Sequence, residues 1–320
     1  MRAISVKQPG GAEQLQIIET QKPVPQAGEL LVRVEAASVN RLDIGQRETR
    51  ADFVPGVEVA GVVEAVGAET KMPAGTRVTG LVKGGGYAEY ALMPEPWAME
   101  IPENLSFEEG AAIPEVFLTA YQTLFWLGRL KQDETVLIHA GGSGVGTAAI
   151  QLAKQLAGAR VMTTAGSAEK LAVCADLGAD LGMNYKEQQF DEEVLEATDG
   201  KGVDLILDFV GASYWEKNLA SVKTDGRWVL IGTLGGAEVN QVNLFSLMQK
   251  RIQLTGTLLT PRSDAYKAEL TAAFSSKCME LFEQGELKPV VDRIFPLDDA
   301  QAAHQHMENN QNIGKIILKV

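Results

Sequence analysis

TVLIHAGGSGVGTAAIQLAK, residues 135–154, joins an apolar strand, a glycine-rich turn and a helix with no residue to spare between them. A turn of this kind aims backbone N–H groups and the positive end of a helix at a phosphate. Glycine is needed where a side chain would block a pyrophosphate or force strand and helix apart. The glycines fall at Gly141, Gly142, Gly144 and Gly146, with Ser143 and Val145 among them, a looser spacing than G-x-G-x-x-G. By itself the motif also fits an ordinary crossover whose glycines serve only packing. The helix expected over 143–157 leads to a second apolar run at 160–165, and the whole has the length of one mononucleotide-binding half.

The end of that second run bears on the cofactor. An NAD site carries Asp or Glu there to bind the ribose 2′-hydroxyl. This chain reads Thr164-Ala165-Gly166-Ser167, with Lys170 just beyond. A hydroxyl and a cation suit a 2′-phosphate, so the expected cofactor is NADPH. Ser167 is equally placed to cap a helix over 168–177, and it can do both.

A length of 320 residues allows one large or two medium domains, and two are expected. No run of 18 apolar residues suggests a membrane span, and MRAISVKQPGG has no signal-peptide core, so a cytoplasmic protein without a membrane partner is expected. The net charge of −13 opposes attraction to phosphate backbones, which argues against a nucleic-acid partner. Cys174 and Cys278 lie far apart in helical, apolar surroundings and read as buried structural thiols. His304 and His306, two apart on a helix, point to different faces, so with His139 they make no metal set. His139, at the strand end before the glycine turn, reads as packing beside the cofactor.

Up to about residue 118 the chain reads as short strands at 29–37, 57–66, 77–81 and 87–93 among Pro and Gly, an all-β unit closer to a small barrel than to a parallel sheet. Ser106 and Glu109 have capping-box spacing. From residue 120, apolar runs at 136–139, 161–164, 205–209, 228–231 and 253–257 alternate with helical stretches, which predicts a doubly wound parallel sheet with its ligands at the carboxyl ends of the strands. A helix over 265–282, a strand near 290–295, a helix over 298–307 and a last strand at 315–320 are expected to return to the first unit.

Asn40-Arg41-x-Asp43, LIHAGGSGVGTAAIQL, TAGSAEKL, GASYWEKN, DGRWVLIG and the terminal NIGKI occur here in order. With them the chain resembles the zinc-free quinone oxidoreductase branch of the medium-chain dehydrogenase/reductase superfamily over nearly its whole length. The resemblance implies an α/β protein: a split GroES-like, β-barrel-type catalytic domain (1–118 and 258–320) and a doubly wound Rossmann NADPH-binding domain (119–257). Zinc-dependent relatives place a Cys in the Ser38-Val39-Asn40 region, a His-Glu pair at Val57-Glu58 and a four-Cys structural site; none of the Cys or His is present, so no metal is expected.

The resemblance further implies hydride transfer from NADPH to an electron-poor conjugated carbonyl, with a quinone as leading acceptor and an enone or enal as the nearest alternative. A non-catalytic, crystallin-like NADPH-binding protein is a third reading. Asn40 and Thr119 match positions near the nicotinamide, and the glycine turn matches the pyrophosphate site. Ser167, Lys170 and Tyr185 match the surroundings of the 2′-phosphate, while Gly232, Thr233, Leu234 and Asn312 complete the cofactor site. Arg262 resembles an arginine at the cleft, so Asn40 and Arg262 are the catalytic candidates. Asn40 and Thr119 also have capping as a simpler role, Tyr185 core packing, and Arg262 plain solvation.

One departure concerns the acceptor. Relatives carry a longer, Pro-rich loop with a substrate-facing tyrosine after the Asn-Arg-x-Asp motif, whereas this chain has only GQRETRADFVPG. A reshaped, more open pocket with Arg47 or Arg50 near its mouth is expected. The apolar stretch 251–258 at the sheet edge suggests a homodimer by strand pairing.

Overall fold

The first strands pair antiparallel, β1 (Arg2–Val6) with β2 (Leu15–Glu19). An eleven-residue strand follows, β3 (Glu29–Val39), in which Leu30, Val32, Val34, Ala36, Ala37 and Val39 are buried. A strand this long and this apolar is covered on both faces. It becomes the centre of a seven-stranded sheet with β4 (Glu58–Val66), β5 (Arg77–Leu81), β6 (Tyr90–Pro94) and β7 (Ala98–Glu100). The capping box predicted for Ser106 and Glu109 is formed, with the Glu109 amide donating to Ser106 Oγ at 3.1 Å and Ser106 N donating to Glu109 Oε2 at 2.8 Å. It starts the short helix at Phe107–Ala111.

The segment after Asn40 is not the loop the sequence suggested. It is a helix, α1 (Arg41–Thr49), and Phe53 then makes a bridge to Val6. Gly45 in its middle and its polar composition hid it. Arg47 explains its stability: the guanidinium is fully buried, with Nε donating to Gly10 O at 3.0 Å, Nη1 3.1 Å from His304 Nδ1, and Nη2 paired with Glu308. Arg47 therefore lies at no pocket mouth. Arg50 is exposed and stacks on the Phe53 ring at 4.6 Å.

After the Phe107–Ala111 helix (α2) and α3 (Pro114–Tyr121), six strands alternate with helices: β8 (Thr135–Ile138), α4 (Gly144–Ala157), β9 (Arg160–Ala165), α5 (Ala168–Asp176), β10 (Leu181–Asn184), α6 (Phe190–Ala197), β11 (Val203–Asp208), α7 (Trp215–Ser221), β12 (Val222–Leu230), α8 (Leu244–Lys250) and β13 (Gln253–Gly256). All pairings are parallel, in the order β10-β9-β8-β11-β12-β13. The order reverses between β8 and β11, so a crevice opens at their carboxyl ends. β10 escaped notice because Gly182 interrupts a four-residue strand. Leu137, Met162, Ile206 and Trp228 lie in one buried cluster of this unit, each large side chain contributing about 1.5–3 kcal/mol.

The chain closes with α9 (Asp264–Glu283), β14 (Val291–Pro296), α10 (Ala300–Glu308) and β15 (Lys315–Lys319), and β15 pairs antiparallel with β3. This is a computed structural model that describes residues 1–320, and it divides into two compact units. The first is Met1–Leu118 with Ser263–Val320; the second is Thr119–Arg262. The later crossing falls after Arg262 rather than after residue 257. Residues 258–262 stay with the second unit because Thr257 N donates to Leu230 O at 3.0 Å and Arg262 Nη2 donates to Thr257 Oγ1 at 2.9 Å. No helix is long and apolar enough to cross a membrane.

Candidate active site

In the second unit the glycine turn leaves β8 through Ala140, whose φ of +51° is unusual for a residue with a side chain and costs of order 1 kcal/mol. Gly141 N donates to Thr164 O at 2.9 Å, tying the turn to β9. A Cβ on Gly141 would meet Thr163 Oγ1 at 2.1 Å, and one on Gly146 would meet Ala140 O at 2.3 Å, so both serve close strand-to-helix packing. Ser143 caps α4, its Oγ accepting from Gly146 N at 3.0 Å. Ser143, Gly144 and Val145 remain partly exposed where the first-turn amides of a fourteen-residue helix lack intrahelical partners. This is a fitting seat for a pyrophosphate.

Two further glycines, one in the turn and one at the end of β9, lie against the 2′-phosphate candidates. A Cβ on Gly142 would lie 3.1–3.2 Å from the Cβ, Cγ and Cδ atoms of Lys170, so the lysine stem lies across the turn. A Cβ on Gly166 would lie 2.6 Å from the Tyr185 hydroxyl, which places the ring over the end of β9. Tyr185 is 46% exposed, so it is no core ring. Ser167 caps α5 by accepting from Lys170 N at 3.3 Å and keeps its O–H as a donor. Glu169 in the same first turn is exposed. Lys170 thus lies at Gly142, and Tyr185 and Ser167 lie at Gly166 at the end of β9, with no buried carboxylate among them.

The loop after β12 lies against the loop after β11. Gly232 N donates to Asp208 O at 3.3 Å, and Leu234 N donates to Phe209 O at 3.1 Å. Thr233 packs beside Gly211, whose φ is +80°, and Leu234 is 64% exposed. Thr119 is buried within α3 with its carbonyl accepting from Thr123 Oγ1 at 2.7 Å, so it caps nothing.

Beneath these loops runs a buried polar chain that the sequence did not reveal. Asp208 Oδ1 accepts from the amides of Val210 (2.7 Å) and Gly211 (3.0 Å), and Oδ2 accepts from Trp228 Nε1 and Asn218 Nδ2, both at 3.0 Å. Asn218 Oδ1 must then accept from His139 Nε2 at 2.7 Å, and His139 Nδ1 accepts from Thr164 Oγ1 at 2.9 Å. Burial lowers the pKa of His139 and keeps it neutral, matching this tautomer. The visible signal was an aspartate closing an apolar strand, in LILDF.

In the first unit Asn40 caps α1 through its backbone, its N donating to Asp43 Oδ2 at 2.8 Å. Its side chain does other work. Nδ2 donates to Glu58 Oε1 at 2.8 Å, and Oδ1 accepts from Lys315 Nζ at 2.7 Å. Lys315 Nζ also donates to Glu58 Oε1 at 2.8 Å and Val39 O at 3.2 Å, which uses all three of its protons. Ser38 Oγ donates to Glu58 Oε1, and Glu115 N donates to Oε2 at 2.7 Å. Glu58 is fully buried, with three of these bonds converging on Oε1 and one reaching Oε2. Ser38 and Glu58, where zinc-dependent relatives would carry ligands, are therefore committed to hydrogen bonds, and no group of three His, Cys, Asp or Glu could hold a metal ion.

Asp43 Oδ2 also accepts from Tyr87 OH at 3.0 Å, and the Tyr87 oxygen lies 3.2 Å from His304 Nε2. Burial raises the Asp43 pKa to about 6. Burial and then Arg47 depress that of His304 to about 3. His306 turns elsewhere, to Asp292 at 2.7 Å, so the two histidines serve different faces. Cys174 and Cys278 are buried and unpaired, with pKa values raised by burial to about 11 and about 12. Asn312 lies in the turn before β15, Nδ2 donating to Gly314 O at 2.8 Å. Arg262, the last residue of the second unit, is partly buried. Lys315 was missed, though a lysine inside the apolar IGKIIL run is a burial signal.

Residues 26–103 match the family described as alcohol dehydrogenase GroES-like domain, and residues 144–275 match the family described as zinc-binding dehydrogenase. Human quinone oxidoreductase is 32% identical over 328 residues, covering 99% of this chain and 97% of the relative. The crystal structure of Escherichia coli quinone oxidoreductase complexed with NADPH is similar with a TM-score of 0.91 at 32% identity, covering 100% of both chains. A crystal structure described as an NAD-dependent alcohol dehydrogenase is similar with a TM-score of 0.90 at 33% identity, again over 100% of both chains.

Proposed function

We propose, for a chain that belongs to the medium-chain dehydrogenase/reductase superfamily in its quinone oxidoreductase branch, that it reduces a quinone with NADPH by zinc-independent hydride transfer. The observation that carries the cofactor reading is the packing of Lys170 across Gly142, together with Ser167 and Tyr185 at Gly166 at the end of β9. Similar structures include one complexed with NADPH and one described as NAD-dependent, and this cluster is what favours the phosphorylated cofactor. A guided cation and hydroxyl bind a 2′-phosphate well, and neither helps a free 2′-hydroxyl as a carboxylate would.

NADPH supplies the hydride when bound. The chain's residues position and shield. Gly142, Ser143, Gly144 and Val145 would receive the pyrophosphate at the start of α4, and Gly232, Thr233, Leu234, Asn312 and Thr119 would complete the site. Asn40 would stand beside the reacting carbonyl with its amide locked by Glu58 and Lys315. A locked amide loses little entropy when an acceptor docks against it. With no group of three His, Cys, Asp or Glu to hold an ion, the site favours direct transfer over activation by a metal. Arg262 is a second candidate for the acceptor side.

We further propose a cytoplasmic homodimer. β13 is an unpaired edge carrying Leu254, 41% exposed, next to the exposed Leu244, Phe245 and Met248 of α8. Steady-state rates with a naphthoquinone and an alkenal side by side test the acceptor, and a clear preference for the alkenal would displace the quinone. A monomeric mass at micromolar concentration would refute the dimer.

A further inference from the structure

The crevice of the second unit opens where the strand order reverses between β8 and β11, and a dinucleotide lies across such a crevice with one half on each side. Thr164 serves the first side: its carbonyl accepts from Gly141 N at 2.9 Å and holds the glycine turn. Asp208 serves the second. Its Oδ1 accepts from the amides of Val210 and Gly211, and its carbonyl accepts from Ile231 N at 2.7 Å and Gly232 N at 3.3 Å. One aspartate thus fixes the starts of both loops on that side.

Between these two anchors run three hydrogen bonds in line. Thr164 Oγ1 donates to His139 Nδ1 at 2.9 Å, His139 Nε2 to Asn218 Oδ1 at 2.7 Å, and Asn218 Nδ2 to Asp208 Oδ2 at 3.0 Å. The carboxylate can only accept, which sets the direction of every proton in the line. All four side chains are buried, so a lost member leaves its neighbours unsatisfied. Asn218 lies on α7, outside the turn and both loops, yet it is the middle link. An amide is required there, because it accepts from one neighbour and donates to the other. Residues 233–238 are all exposed, so the loop after β12 has few buried contacts of its own and depends on the bonds at its root.

We propose that Asn218 and His139 are positioning residues for the cofactor: the line they complete sets the spacing between the glycine turn and the 232–234 loop, so that both halves of NADPH are gripped at once. This rests on the reading that those two segments hold the two halves of the cofactor. With the line intact, both sides stand in place and binding has little left to order. With the line cut, the cofactor must order the far loop itself, and affinity falls for any ligand that reaches it.

Asn218→Leu keeps the size of the side chain and removes both of its bonds. Two ligands are titrated calorimetrically: NADPH, which spans the crevice, and adenosine 2′,5′-bisphosphate, which reaches only the turn and the 2′-phosphate group. The Kd for NADPH should rise roughly tenfold, and that for the bisphosphate should stay within about twofold of the wild type. A lower melting temperature with the wild-type ratio of the two constants would mark a merely structural role and overturn the proposal. Equal weakening of both ligands would overturn it too. His139→Phe cuts the next link while keeping a ring against Phe190 and Tyr214, whose centroids lie 4.8 and 4.9 Å from that of His139. It should shift the ratio in the same direction, and it decides the matter if Asn218→Leu does not fold. A wild type that binds NADPH no more tightly than the bisphosphate overturns the reading of the 232–234 loop as a cofactor contact, and the proposal with it. Neither titration uses an acceptor, so the result is independent of which acceptor is reduced.

Discussion

Lys315 Nζ lies 2.7 Å from Asn40 Oδ1 and 2.8 Å from Glu58 Oε1, with all three side chains at least nine-tenths buried. The lysine of the last strand thereby fixes an amide 275 residues earlier in the chain. A buried pair of this kind is expensive to break from one side, because the remaining charge has no water.

Lys315→Met should accordingly lower stability by about 3–5 kcal/mol in urea denaturation. Combining it with Glu58→Gln should destabilise by clearly less than the sum of the two single changes, since the stranded charge is gone.

Cofactor discrimination should reside in Lys170. Lys170→Ala should weaken NADPH about tenfold, equivalent to about 1.4 kcal/mol, and leave NADH unchanged in binding titrations. Equal affinity of the wild type for both cofactors would refute the 2′-phosphate reading.

Two glycines should respond in opposite directions. A Cβ on Gly45, within α1, meets nothing within 4 Å, so Gly45→Ala should raise stability by roughly 0.5–1 kcal/mol. Gly141→Ala would drive its Cβ to 2.1 Å from Thr163 Oγ1. It should lower both the melting temperature and the affinity for NADPH.

Asp43 and His304 should pull the pH dependence of stability in opposite directions. The folded pKa of Asp43, about 6, lies above its ordinary 3.8, so its contribution is full below about pH 4 and lost as pH rises through 6. The folded pKa of His304, about 3, lies below its ordinary 6.5, so its contribution is full above about pH 6.5 and lost as pH falls toward 3. Relative to the wild type, His304→Gln should gain stability on going from pH 6.5 to 4.5, and Asp43→Asn should lose it. Urea melts at the two pH values would show this.

Five of the six strands of the second domain were legible because each is a compact apolar run, as at Val136 before the glycine turn and at Val161 before Ser167, and only β10, interrupted by Gly182, was not. The capping box of Ser106 and Glu109 is equally local. What escaped depends on distant partners. Arg47 looks like a surface cation until His304 and Glu308 of α10 enclose it. Lys315 and Asp208 likewise acquire their meaning only from Glu58, Asn40 and Trp228, which no sequence period connects to them.

The central claim is hydride transfer from NADPH to a quinone without a metal. Single-turnover oxidation of NADPH deuterated at C4, by chelator-treated protein mixed with 1,4-naphthoquinone, tests it most directly. Oxidation should proceed at the untreated rate, slowed by deuterium at the transferred position. No oxidation, or a rate lost on chelation and restored by zinc, would contradict it.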